Sequence, residues 1–184
     1  MLYEVYLKKL QVQTDAEHLY HLIATSQTVL EEWLPSWGKI ASIAASKEHI
    51  AQHEQSDFYW GEEQYGIWLN QQLIGQVSLH SGQMENQTVK LSYFLGIGAQ
   101  GKGYMTRACS LLISKVFEEE KIQSVIIECE PSNISSQKLA KRLGFECLSS
   151  HSEIVLFIVH QSDWIVQKHI SLYFLWFLDV EESC

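Results

Sequence analysis

The stretch Leu91–Ala108 reads LSYFLGIGAQGKGYMTRA: an apolar strand, a loop with Gly96, Gly98, Gly101 and Gly103, and then at once a helix. No other segment restricts the folding of the chain as much. Glycines let a backbone turn tightly and approach another group closely. A helix that opens directly after them leaves free N–H groups and the positive end of its dipole at the loop, which suits a phosphate. Two phosphate loops can be set against it. G-x-x-x-x-G-K-[ST] fits from Gly96 to Lys102, but Gly103 stands where Ser or Thr must hold Mg²⁺, and no set of parallel βαβ units surrounds it. G-x-G-x-x-G fits Gly96–Gly101, yet the acidic ribose reader expected ~20 residues on would fall near Glu118–Glu120, inside the same helix.

Around this loop the chain alternates elements. Met1–Gln13 is rich in alternating apolar residues and predicts a first strand. Thr14-Asp15-Ala16-Glu17 matches the S/T-x-x-E capping box and predicts a helix that carries Leu19, Leu22 and Ile23. A second helical piece runs over Ser26–Trp33 and is stopped by Pro35, and Ser46–Gln55 predicts a third. Gln64–Asn70 and Leu73–Ser81 flank a polar turn and predict a hairpin. Val89–Ile97 is the strand before the glycines, and Tyr104–Glu120 is the helix after them. Ser124–Glu130 predicts a short apolar strand. Asn133 or Ser135 can cap a helix that ends near Leu143, with Gly144 as its stop. The remainder is mostly β in character. The order β-α-α-β-β-β-α-β-α-β-β predicts one α/β (α+β) domain over residues 1–184, without linker or repeat.

Charge narrows the partners. Lys and Arg total 13 against 22 Asp and Glu, a formal charge of −9. Such a chain lacks the clustered cations that grip nucleic acid or an anionic membrane surface, and a cationic acceptor suits it better. The 4 cysteines form no C-x-x-C pair and no zinc spacing, so reduced thiols in the cytoplasm are expected. No charged leader precedes a long apolar run at the N-terminus. The longest apolar run, Leu172–Leu178, is far short of the roughly 20 residues a membrane helix needs.

Gln100-Gly101-Lys102-Gly103 resembles the Q/R-x-x-G-x-G/A pyrophosphate loop of the GNAT N-acetyltransferases. The sixth position is Met105, a departure familiar in the RimJ/RimL-type branch, the ribosomal-protein N-terminal acetyltransferases. Leu30–Trp37 (LEEWLPSW) resembles that branch's early tryptophan segment, and Ile126–Phe145 (IIECEPSNISSQKLAKRLGF) resembles its second motif. The resemblance covers residues 3–145 and leaves 145–184 atypical. Ile154–Val159 and Ile170–Leu178 are more apolar than the family's last hairpin, and Tyr173 aligns with its final strand.

The resemblance implies a single GNAT-like domain, a central mostly antiparallel mixed sheet flanked by helices. It implies acetyl-CoA as co-substrate, with no metal. Leu95, Ile97, Gln100, Gly101, Lys102, Gly103, Tyr104, Met105 and Asn133 would hold that cofactor, and the amide near Leu95 would face the developing oxyanion. Many members place a tyrosine acid four residues before the closing glycine, where this chain has Ala140. Ser136 matches the serine that takes the task in RimL-type enzymes, and Cys129 ends the strand beside the expected thioester. Glu153 is the nearest candidate base, with His151 competing. Glu128 and Glu130 bracket Cys129 and can attract an amine. Trp33, Trp37, Tyr59 and Trp60 can wall an acceptor site or pack in the core.

The function implied first is acetyl transfer to a protein N-terminal α-amine. A polyamine or aminoglycoside-like acceptor is the alternative within the same chemistry. A non-catalytic acyl-CoA-binding or partner-docking module is the alternative of another class. The apolar tail is compatible with a homodimer.

Overall fold

The computed structural model describes residues 5–35, 37–54, 62–81, 87–119, 122–150 and 152–164. In chain order the elements are β1 (Val5–Lys8), α1 (Val12–Thr25), α2 (Gln27–Trp33), α3 (Ile43–His53), β2 (Glu62–Leu69), β3 (Gln72–Ser81), β4 (Thr88–Leu95), α4 (Tyr104–Glu119), β5 (Ser124–Cys129), α5 (Ile134–Arg142), β6 (Glu146–Ser150) and β7 (Val155–His160). The polar turn between β2 and β3 holds Asn70 at φ 48° and Gln71 at φ 66°. Two successive positive φ values give the twist that a tight hairpin needs.

Among the described residues the strands form one sheet in the order β1-β2-β3-β4-β5-β7-β6. Every neighbouring pair is antiparallel except β4 and β5, which run parallel. Helices cover both faces. On one, Ala108, Leu112, Ile113 and Val116 of α4 and Leu139 and Ala140 of α5 close over Val77, Leu91, Val125 and Phe157 of the sheet. On the other, Leu19, Leu22 and Ile23 of α1, Leu30 of α2 and Ile50 of α3 close over Trp68, Leu73 and Phe94. Side chains alternate between the faces along a strand. So Leu91, Tyr93 and Leu95 of β4 pack with the first core, and Phe94 packs with the second.

Several boundaries differ from the sequence reading. Among the described residues the first strand is Val5–Lys8, and α1 begins at Val12, ahead of the Thr14 box. The group at the helix start is Asp15. Its buried carboxylate accepts the Gln11 N–H at 2.9 Å, Lys8 Nζ at 3.0 Å and the Thr14 hydroxyl at 3.0 Å. The third helix starts at Ile43, because Ser42 Oγ accepts the Ala45 N–H at 3.1 Å, and Ser46 lies buried within it. β4 ends at Leu95, and Ile97–Ala99 form a 3-10 turn. Asn133 is the cap of α5, accepting the Ser136 N–H at 3.0 Å, and Gly144 follows that helix with φ 79°. β7 takes up the expected apolar stretch after Ile154, and Trp164 beyond it donates to Ser114 Oγ on α4 at 3.1 Å. Tyr59, Trp60, His151, Tyr173 and the stretch Ile170–Leu178 lie outside the described residues. Among the described residues no helix is long and apolar enough to cross a membrane.

Candidate active site

The parallel pair β4–β5 is short. Thr88, Val89 and Lys90 pair with Ser124, Val125 and Ile126, and beyond that rung the strands part. β4 continues to Leu95 and β5 to Cys129, so the sheet opens into a V. A cleft of about 900 Å³ runs through this opening. Its walls come from both faces of the sheet: Gln100, Gly101, Gly103, Tyr104, Met105 and Thr106 from the loop and α4, Asn133, Ser136, Lys138 and Arg142 from α5 and its cap, and Val29, Glu32, Trp33 and Leu34 from the α2 region.

The loop is shaped to show its amides. Gly101 and Gly103 have φ 74° and 78°, and no heavy atom beyond the flanking residues lies within 4 Å of where either Cβ would stand. Backbone conformation, not crowding, therefore selects glycine here. Gln100 Nε2 donates to the Leu95 carbonyl at 3.1 Å and ties the loop to the strand end. Gly103 O accepts the Arg107 N–H at 3.1 Å, so α4 begins there and its first amides have no acceptor within the helix. The Gly96 N–H bonds back to Ile74 O on β3 at 2.9 Å. Successive amides of an extended strand point to opposite edges. The Leu95 amide is therefore turned away from β3, toward the open side of the V.

Where β5 faces α5, three polar side chains meet. The Ser136 hydroxyl lies 2.8 Å from the Tyr93 hydroxyl, and the Cys129 thiol lines the cleft beside it. Burial pushes the Tyr93 hydroxyl well above its ordinary pKa, with Cys109 adding to the rise and Ser136 opposing it. Burial likewise pushes the Cys129 thiol up, while the Ser136 hydrogen bond pulls it down and Cys147 raises it further. The fully buried Cys109 thiol is pushed up by burial alone. Cys109, Cys129 and Cys147 are free thiols.

Apart from Lys90, which lines the cleft beside Glu128, the charges along the walls are segregated. Lys138 and Arg142 stand four apart on α5, with Arg142 donating to Thr106 Oγ1 at 3.2 Å. Glu32, Glu128 and Glu130 line the part of the cleft beside α2 and the end of β5. Glu128 is ion-paired with Lys90.

The residues singled out in the sequence fall into two groups. Ser136, Cys129, Leu95, Gln100, Gly101, Gly103, Tyr104, Met105, Asn133 and Trp33 all line the cleft. Lys102, Ile97, Glu153 and Trp37 do not. Lys102 curls back to donate to Gly98 O at 2.9 Å. Ile97 is half exposed on the 3-10 turn. Glu153 is exposed in the β6–β7 turn, and its neighbour Ile154 reaches the cleft instead. Trp37 sits behind the wall, its ring 5.0 Å from that of Phe94 and 4.8 Å from that of His49. Ala140 is fully buried on the inner face of α5. Sequence reasoning missed Tyr93, Lys90, Glu32, Lys138 and Arg142. The i, i+4 spacing of Lys138 and Arg142 was the readable signal among these.

Residues 4–146 match the acetyltransferase (GNAT) domain. The chain belongs to this family, and it is an acyltransferase that takes an acetyl group from acetyl-CoA. It is 31% identical over 134 residues to the "Putative ribosomal N-acetyltransferase YdaF" of Bacillus subtilis (strain 168), covering 71% of this chain and 72% of that one. It is 27% identical over 131 residues to the ribosomal-protein-serine acetyltransferase of Escherichia coli (strain K12), covering 69% and 71%. The fold superposes with a TM-score of 0.75, at 16% identity and over 87% of this chain and 95% of the other, on RimL, a ribosomal alpha-N-protein acetyltransferase solved in complex with coenzyme A.

Proposed function

We propose that this acetyltransferase acts on the α-amino group of a protein N-terminus, a ribosomal protein being the leading candidate. The observation that carries the reading is the segregation of charge along one cleft. Lys138, Arg142 and the first amides of α4 suit the phosphates of acetyl-CoA, and Glu32, Glu128 and Glu130 suit a cationic acceptor. Two relatives named for ribosomal proteins support the protein acceptor over a polyamine or aminoglycoside.

The residues fit the cofactor. The glycine loop presents amides for a pyrophosphate, and the V leaves room for a narrow arm between the strands. In this reading Gln100 to Met105 and the Asn133 amide hold acetyl-CoA, which supplies the activated thioester. Asn133 spends its oxygen on the helix cap and keeps its NH₂ for the ligand. The Leu95 amide donates to the carbonyl oxygen as negative charge develops there. The amine nitrogen forms the new C–N bond, the C–S bond breaks, and Ser136 gives its proton to the departing sulfur. Cys129 lines the sulfur's path. Trp33 walls the acceptor end, and Trp37 stiffens that wall through Phe94. Glu153 lies outside the cleft beside the cleft-lining Ile154, so it takes the proton the amine loses through water. An α-amine, with pKa ~8 against ~10.4 for lysine, needs little help from a base.

We take residues 1–184 as one such domain with an unusual last segment, acting in the cytoplasm. The apolar tail sequence favours a homodimer, which light scattering reads.

Thermal unfolding with acetyl-CoA, CoA, ATP and NAD tests the cofactor. A ligand at 100 times its Kd adds ~2.7 kcal/mol, roughly 5–11 °C for a domain of this size. Mass spectrometry then reads acetyl transfer to peptides with free or blocked N-termini and to spermidine. Transfer to free N-termini alone is expected. Transfer to spermidine alone moves the assignment to small amines, and binding without any transfer leaves a docking module.

A further inference from the structure

We propose that Tyr93 is a positioning residue for Ser136, fixing the direction in which the serine hydroxyl presents its proton to the departing sulfur. The proposal rests on the reading of Ser136 given above. The two hydroxyls lie 2.8 Å apart, 43 residues apart in sequence, and both are carried on fixed backbone. Tyr93 is paired with Val77 in the middle of the β3–β4 ladder. Ser136 is the third residue of α5, and its N–H is held by the Asn133 cap.

By geometry alone either hydroxyl can donate in this contact. The proposed reaction selects between the two directions. Ser136 has one proton, and a proton given to Tyr93 is not available to the sulfur. Acid chemistry at Ser136 therefore requires Tyr93 to donate to Ser136 Oγ, which leaves the serine proton for the Cys129 side of the cleft, where the reading above places the departing sulfur. Burial keeps Tyr93 protonated throughout the working pH range, so it stays a donor.

Four proteins test this: the parent, Tyr93→Phe, Ser136→Ala and the double variant, each shown by thermal unfolding to be folded. Two readouts are taken. The first needs no turnover: the pH midpoint for iodoacetamide alkylation of Cys129, resolved from Cys147 by peptide mass spectrometry. Both single variants should raise that midpoint, and the double variant should raise it no further than Ser136→Ala. The second is kcat. Ser136→Ala should lower it about 10²-fold and Tyr93→Phe roughly 10-fold, with KM for acetyl-CoA held and the double variant no slower than Ser136→Ala. A Tyr93→Phe loss that repeats in full in the Ser136→Ala background makes Tyr93 a structural residue and overturns the proposal. So does a Cys129 midpoint that moves in Ser136→Ala but not in Tyr93→Phe. The expected alkylation pattern with no acetyl transfer by the parent upholds the positioning and overturns the proposed reaction instead.

Discussion

Lys90 sits on the last rung joining β4 to β5, and its Nζ is ion-paired with Glu128, two residues past that rung. The pair spans the base of the V and holds the Glu128 carboxylate at the acceptor end. An arriving ammonium must compete with Lys90 for it. Lys90→Met should therefore lower KM for cationic acceptors, and Glu128→Gln should raise it. Lys90 is 38% and Glu128 33% exposed, so the interaction is screened. At ~0–1 kcal/mol the change is about fivefold at most, shrinking with added salt. Steady-state kinetics over an ionic-strength series reads this. Equal KM values in the parent and Glu128→Gln would remove Glu128 from acceptor binding.

Gly103 and Gly98 make a matched pair for testing the loop. Neither has a heavy atom beyond its flanking residues within 4 Å of where a Cβ would stand, but of the two only Gly103 has positive φ, at 78°. An alanine forced into that region costs about 1–2 kcal/mol. Gly103→Ala should weaken CoA binding about 5–30-fold, and Gly98→Ala should leave it unchanged. Calorimetric titration with CoA separates them, and equal affinities for both variants would show that left-handed geometry at 103 does not matter for binding.

These details mark what the sequence could carry. The glycine loop, the Asn70-Gln71 turn and the Asn133 cap are local devices, written in adjacent residues, and they were legible. The Tyr93–Ser136 contact joins residues 43 apart and exists only because β4 and α5 pack together. Trp33 and Trp37 read alike as aromatics near Pro35. The 3-10 turn Trp37–Lys39 decides that one lines the cleft and the other backs Phe94. Thr14 matched a capping box, but the helix start was taken by Asp15, because β1 brings Lys8 to it through the sheet.

That Asp15 junction should be a stability site. Its carboxylate is 3% exposed and serves Lys8, the Gln11 amide and the Thr14 hydroxyl together. Asp15→Ala leaves a helix-start N–H without its acceptor and frees β1 from α1. A loss of ~1–3 kcal/mol is expected, at about 2–4 °C in Tm per kcal/mol. The cleft lies elsewhere, so CoA affinity of the folded variant should hold. A Tm within a degree or so of the parent would mean the junction is redundant.

His49 and His80 set a pH dependence of stability. Burial lowers the pKa of His49, helped by His53, against the Gln64 hydrogen bond and Glu62, which raise it. Burial also lowers His80, where Glu62 opposes and Lys90 and His53 add to the fall. Both therefore stay neutral in the folded chain below the ordinary value of 6.5 at which the unfolded chain takes up protons. The stability they contribute is whole above pH 6.5 and is lost as pH falls below it, because protons then favour the unfolded state. Tm should drop between about pH 7.5 and about pH 5.5, and His49→Gln with His80→Gln should flatten that drop while keeping a polar partner for Gln64. Differential scanning calorimetry across that window reads the slope. A double variant as steep as the parent would place the pH sensitivity on other groups.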